Sequence, residues 1–176
     1  MRKAMYLMGA LEDSDIEWLG ANGSLMRLNA GDTLVRAGQA VDSLFVVLDG
    51  RLGVRTGSTA VATLLAGEVV GEISFVDARP PQASVVSLDT SRVLAIGRDV
   101  LQAKLGRDVR FAANFYRALA TFLADRLRTT TARLGYGGPE QDRAAEDEED
   151  LGEQLMETVS LGMQRFDNLL RQVRGA

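Results

Sequence analysis

The sequence predicts an antiparallel β-sandwich or β-roll, entered by a short helix and followed by a long one. Between about Met26 and Gly97 six short β-rich runs alternate with glycine-bearing turns. Asp49-Gly50, set between "FVVL" and "RLGV", is a strong hairpin signal, because a tight two-residue turn needs backbone angles that glycine supplies. After Arg98 the apolar residues recur at helical spacing instead of alternating.

Taken in order, Ser14 and Glu17 in "SDIEWL" fit a capping box, so a short helix is expected there with Trp18 and Leu19 on its buried face. The strand-like runs follow as "TLVR", "SLFVVLD", "RLGVRT", "AVATLL", "SVVSLD" and "RVLAIG", with Gly31, Gly38, Gly50 and Gly67 at the turns. "RDVLQAKLG" reads as a short helix. "DVRFAANFYRALATFLADRLRTTTARLG" reads as a long one, stopped by Gly135. The long helix carries two apolar stripes. One runs through Val109, Ala112, Tyr116, Leu119, Leu123 and Leu127, and the other through Phe111, Phe115 and Phe122. One stripe can cover the β-layers and leave the other for a partner helix, which predicts a homodimer built on residues 107–134. Packing of both stripes within one chain is the alternative.

"GGPEQDRAAEDEED" reads as an acidic linker over residues 136–150. Beyond it an amphipathic helix is expected over 151–174, through Leu155, Val159, Met163, Phe166, Leu170 and Val173. Glu140 to Asp150 holds seven acidic residues and one arginine, too much charge to bury unpaired. The tail is therefore expected to be separable from the fold. It could dock back on its own domain or engage another protein.

Composition narrows the function. At 176 residues and 46% apolar, the chain suits one domain with a real core and an appended segment. It has no cysteine and no histidine, which removes disulfides, thiolate metal sites, the usual general base and the commonest metal ligand. No metal site and no enzyme are expected, since no nucleophile–base pair stands out beside the carboxylates Glu72 and Asp77. The first apolar run is too short for a signal peptide, and no run approaches the roughly 18 apolar residues of a membrane span. A cytoplasmic protein without a membrane partner is the expectation. The net charge of −4 argues against nucleic acid.

The glycine pattern carries a resemblance. "LNAGDTLVRAGQAVDSLFVVLDGRLGV" followed by "LLAGEVVGEISFVDARPPQASVV" resembles the cyclic nucleotide-binding domain family, shared by catabolite activator proteins and kinase regulatory subunits. The similarity runs from about Asp13 to Gly135, so residues 1–135 are expected to form that domain, long helix included. It implies a mainly β fold with α: an antiparallel β-roll of the double-stranded β-helix or jelly-roll type, with a short N-terminal helix and a long C-terminal one. The winged helix-turn-helix of the family's transcription regulators is not expected in the 41 residues after Gly135, given their composition.

The resemblance also implies roles. The family's glycine–glutamate pair falls on Gly71 and Glu72, assigning the carboxylate to a ribose 2′-hydroxyl. A short helix would start near Ile73 and Ser74, with N–H groups toward the cyclic phosphate. The family's phosphate-binding arginine falls on Pro81, which has neither charge nor N–H, and its next two positions fall on Gln82 and Ala83. Losing one partner of a buried charge pair costs about 2–5 kcal/mol. Two residues are placed to offset that: Arg79, about 6 Å upstream along an extended Pro-Pro segment, and the Gln82 amide. "DRLRTTTARLG" resembles the family's dimer-helix stretch that meets adenine, placing Thr130 and Thr131 on the base; an ordinary exposed helix face is the alternative. The expected ligand is cyclic AMP or another cyclic nucleotide, with no other cofactor. The expected function is a sensor signalling through the long helix or tail to a protein partner. The alternative is an adaptor that keeps the fold without the ligand.

Overall fold

The computed structural model describes residues 3–133 and 145–174. Two helices, α1 (Lys3–Ala10) and α2 (Asp13–Asn22), precede strands β1 (Ser24–Leu28), β2 (Thr33–Val35), β3 (Ser43–Asp49), β4 (Arg51–Thr56), β5 (Thr59–Leu65) and β6 (Val69–Val70). A short helix α3 (Glu72–Asp77) follows, then β7 (Ser84–Ser87) and β8 (Ser91–Gly97). The chain continues through α4 (Arg98–Arg107) and α5 (Val109–Arg133) to α6 (Ala145–Arg174). The strands form two antiparallel four-stranded sheets, ordered β1-β8-β3-β6 and β2-β7-β4-β5.

The first sheet is the middle layer. Successive side chains of a strand point to opposite faces, and both faces of β3 are buried. Leu44, Val46 and Leu48 join the helices, together with Leu94 and Ile96 of β8. Phe45, Val47, Val93 and Ala95 point the other way, into a core shared with Val35, Leu52 and Val85 of the second sheet. The expected hairpin joins β3 to β4 at Gly50, which has φ 86° and would bring a Cβ to 2.6 Å from Ser91 Cα.

The start of the chain differs from the expectation. The capping box sits on Glu12 and Asp15, with Glu12 N–H donating to Asp15 Oδ2 at 3.1 Å, and not on Ser14 and Glu17. Asp13 already lies in the first turn, where its charge favours the helix dipole. Leu19 is buried and Trp18 partly so, as expected, but α1 precedes them and buries Met5, Leu7 and Met8.

The long helix separates its apolar residues. Phe111, Phe115, Ala118 and Leu119 are buried against the core, while Val109, Tyr116 and Leu127 are exposed. Leu119 thus belongs to the buried face and not to the stripe of Val109. Gly135 and residues 136–144 of the expected linker lie outside the described residues.

The tail is not separate. Its helix begins at Ala145, before the expected residue 151, so Glu146 to Asp150 occupy the first turns, where acidic residues suit the dipole. Phe166 and Leu169 are buried in the helix-side core with Met5 and Met8. Helices α1 and α6 run antiparallel in close contact: a Cβ on Gly9 would strike the Thr158 carbonyl, and one on Gly162 the Met5 carbonyl. Arg165 locks the pair, donating to the Met8 and Gly9 carbonyls at 3.1 Å each and to Asp13 at 2.6 Å.

Candidate functional site

Gly71 makes the sharp turn between β6 and α3. Its φ of 93° is left-handed, and a Cβ there would lie 2.7 Å from the Ser43 carbonyl oxygen and 3.3 Å from Val41 Cγ1. Only glycine fits on both counts. The first hydrogen bond of α3 runs from Phe75 N–H to the Gly71 carbonyl at 2.9 Å, so the Ile73 and Ser74 N–H groups have no acceptor within the helix. Glu72 is 4% exposed and Ser74 5%, whereas Ile73 faces solvent. Gly71, Glu72, Ile73 and Ser74 are thus gathered in one turn.

Arg98, the first residue of α4, was not singled out from the sequence. Its guanidinium donates to the Ser74 and Phe75 carbonyls at 3.0 Å each and lies 5.3 Å from the Phe75 ring centroid. Its N–H donates to the Asp42 carbonyl at 2.7 Å. One residue therefore clamps the far end of α3 to the loop before β3. Phe75 meets Phe115 of α5 edge-on at 5.8 Å, and Phe115 stacks on Phe111 at 5.8 Å. No spacing rule marks Arg98, because its partners are backbone atoms some 23 residues away.

The start of α5 is held as firmly. Asp108 Oδ1 accepts the Phe111 N–H at 2.9 Å as an N-cap, and Asp108 Oδ2 accepts Lys104 Nζ at 2.7 Å. The Lys104 bond holds the Asp108 carboxyl below the ordinary aspartate range, and Asp108 in turn raises Lys104. Lys104 also reaches Asp15 of α2 at 3.4 Å. Helices α2, α4 and α5 share this junction.

The other expected residues are spread out. Arg79 is exposed beyond the end of α3, and its N–H donates to Asp77 Oδ1 at 3.0 Å. Gln82 is exposed and Ala83 half-buried. Thr130 and Thr131 fall in the last turn of α5, and their side chains lie outside the described residues. Pro81 is tied to a turn after β2: the Gly38 N–H donates to the Pro81 carbonyl at 2.8 Å and the Ala37 N–H to Ser84 Oγ at 3.0 Å. That turn borders a cavity of about 320 Å³, whose lining includes Val35, Arg36, Gln39, Val41, Ser43 and Phe45. Val41 and Ser43 are the same residues that Gly71 abuts. Among the described residues no cluster of acidic side chains could hold a metal ion, and no helix is long and apolar enough to cross a membrane.

Known proteins share this fold. The family profile described as cyclic nucleotide-binding domain matches residues 25–108, spanning both sheets, α3 and α4. The N-terminal domain of a transcriptional regulator from Streptomyces coelicolor is 32% identical, with a TM-score of 0.60 over 73% of this chain and 90% of that one. The Thermus thermophilus catabolite activator protein is 23% identical, with a TM-score of 0.63 over 97% of this chain and 87% of the other, a likeness of fold. The Pycsar effector protein XpPycTIR of Xanthomonas perforans is 28% identical over 112 residues, which are 63% of this chain but only 36% of that protein's length.

Proposed function

Because this chain belongs to the cyclic nucleotide-binding domain family, we propose that it is a sensor: it binds a cyclic nucleotide at the turn of Gly71 to Ser74 and passes the event to α5. The carrying observation is Glu72, held 4% exposed beside a glycine that no other residue can replace. Its place at the head of α3, directly after the turn that only glycine can make, supports recognition of a sugar hydroxyl. The nearby Ile73 and Ser74 N–H groups suit a cyclic phosphate.

The route outward runs through Phe75 to Phe115 and through Arg98 to α4. A ligand that draws α3 inward would move both contacts together. On α5 the exposed residues Val109, Ala113, Tyr116, Ala120 and Leu127 follow spacings of four, three, four and seven, the pattern of a helix-pairing seam. We assign a homodimer to that seam and no catalytic role to the chain. A protein partner reached through α5 or the outer face of α6 and a place in the cytoplasm belong to the same proposal.

A second reading, a ligand-free adaptor, draws on Pro81, which leaves the family's cation position uncharged. Calorimetry of the pure protein against cyclic AMP, cyclic GMP and cyclic dinucleotides separates the two. Saturable binding of one of them supports the sensor. No heat from any of them favours the adaptor.

A further inference from the structure

We infer that Arg36 supplies the cation that Pro81 lacks, so that the cyclic phosphate is held across the chain by the turn after β2. This rests on the sensor reading and names a residue that the family pattern does not. Sequence distance hides the relation, since Arg36 and Pro81 are 45 residues apart. The pairing of β2 with β7 removes that distance. Thr33 and Val35 lie opposite Val86 and Val85, and the chain beyond Val35 continues alongside residues 81–84. Ala37 and Gly38 then bond directly to Ser84 and Pro81. Adjacent paired chains lie about 5 Å apart, well within the reach of an arginine side chain.

Three features support Arg36, and the first of them sets it apart from Arg79. It lines the cavity whose Val41 and Ser43 also touch Gly71. Like that of Arg79, its guanidinium makes no ion pair or side-chain hydrogen bond among the described residues, whereas Arg51, Arg92, Arg98, Arg110 and Arg165 all do. Its backbone is fixed by the turn it opens, in which the Gln39 N–H donates to the Arg36 carbonyl at 3.2 Å and Gly38 adopts φ 78°. Gln39 adds a neutral donor to the same lining, and Asp42 is the one acidic residue in it. An anion entering there would pair with Arg36 and keep away from the Asp42 carboxylate.

The test is calorimetric titration of the full chain, as wild type, Arg36→Gln and Arg79→Ala, with cyclic AMP and cyclic GMP and with adenosine and guanosine as phosphate-free probes. Arg36→Gln is expected to weaken cyclic nucleotide binding more than tenfold, to leave any nucleoside binding unchanged, and to keep the wild-type melting temperature. Arg79→Ala is expected to change affinity less than threefold. Wild type that binds while Arg36→Gln binds equally well overturns this assignment and leaves the sensor reading standing. Wild type that binds no cyclic nucleotide overturns both.

Discussion

Leu169→Ala probes the docking of the tail. Leu169 is fully buried between α6 and the N-terminal helices, in the cluster with Met5, Met8 and Phe166. Truncating a buried leucine to alanine costs about 2–5 kcal/mol, from lost transfer energy and the cavity left behind. For a chain of this size each kcal/mol moves the melting temperature by about 2–4 °C, so a fall of about 4–20 °C is expected by circular dichroism. Gly162→Ala should act through a different cause, since its new methyl meets the Met5 carbonyl, a backbone atom that cannot swing aside. Met156→Ala, at an exposed position on the same helix, should stay within about 0.5 kcal/mol of wild type. Deleting residues 136–176 should expose Met5 and Met8 and destabilise the whole domain. If Leu169→Ala and Gly162→Ala both melt within about 2 °C of wild type, α6 does not pack on α1 in solution, and the separable tail is restored.

Other expectations follow from the α5 seam, its cap and the cradle. Tyr116→Glu places a charge in the exposed seam and should convert a sedimenting dimer to monomer; a dimer that survives at micromolar concentration refutes the seam. Asp108→Ala should lower the melting temperature at neutral pH by removing the N-cap of α5 and the Lys104 bond. Because the folded carboxyl titrates below its unfolded value, that stabilisation is complete above about pH 4 and lost as pH falls through the folded value, so the mutant and wild-type curves should converge in acid. A gap that is constant with pH would show that the charge plays no part. Pro81→Arg should tighten cyclic nucleotide binding about 10- to 100-fold, the value of one charged hydrogen bond of about 1.5–3 kcal/mol; Pro81→Gln should not, and equal gains from both would point to loop freedom.

Much of the fold was legible because its signals are local. The strands declare themselves by period and by Asp49-Gly50, whereas the turn into α3 was legible only through the family resemblance of Gly71 and Glu72. The capping box was displaced because two acidic positions three residues apart, Glu12 and Asp15, compete with Ser14 and Glu17 for the same pattern. The amphipathic stripe of α6 says that one face is covered but not by what; its partner, α1, lies some 150 residues earlier and meets it through glycines that carry no hydrophobic signal. Arg98 escaped for a related reason, since it binds carbonyl oxygens, which every residue has. The nearness of Arg36 to Pro81 depends on which strands pair, and strand order is not written in any local run.

If Glu72 belongs to a working nucleotide cradle, a paired titration will show it. Wild type and Glu72→Ala are titrated calorimetrically with cyclic AMP and cyclic GMP, after circular dichroism has verified that both are folded. Saturable binding of one nucleotide by wild type, weakened more than tenfold in Glu72→Ala, is the predicted result. Equal affinity in the two proteins, or no binding by wild type, contradicts it.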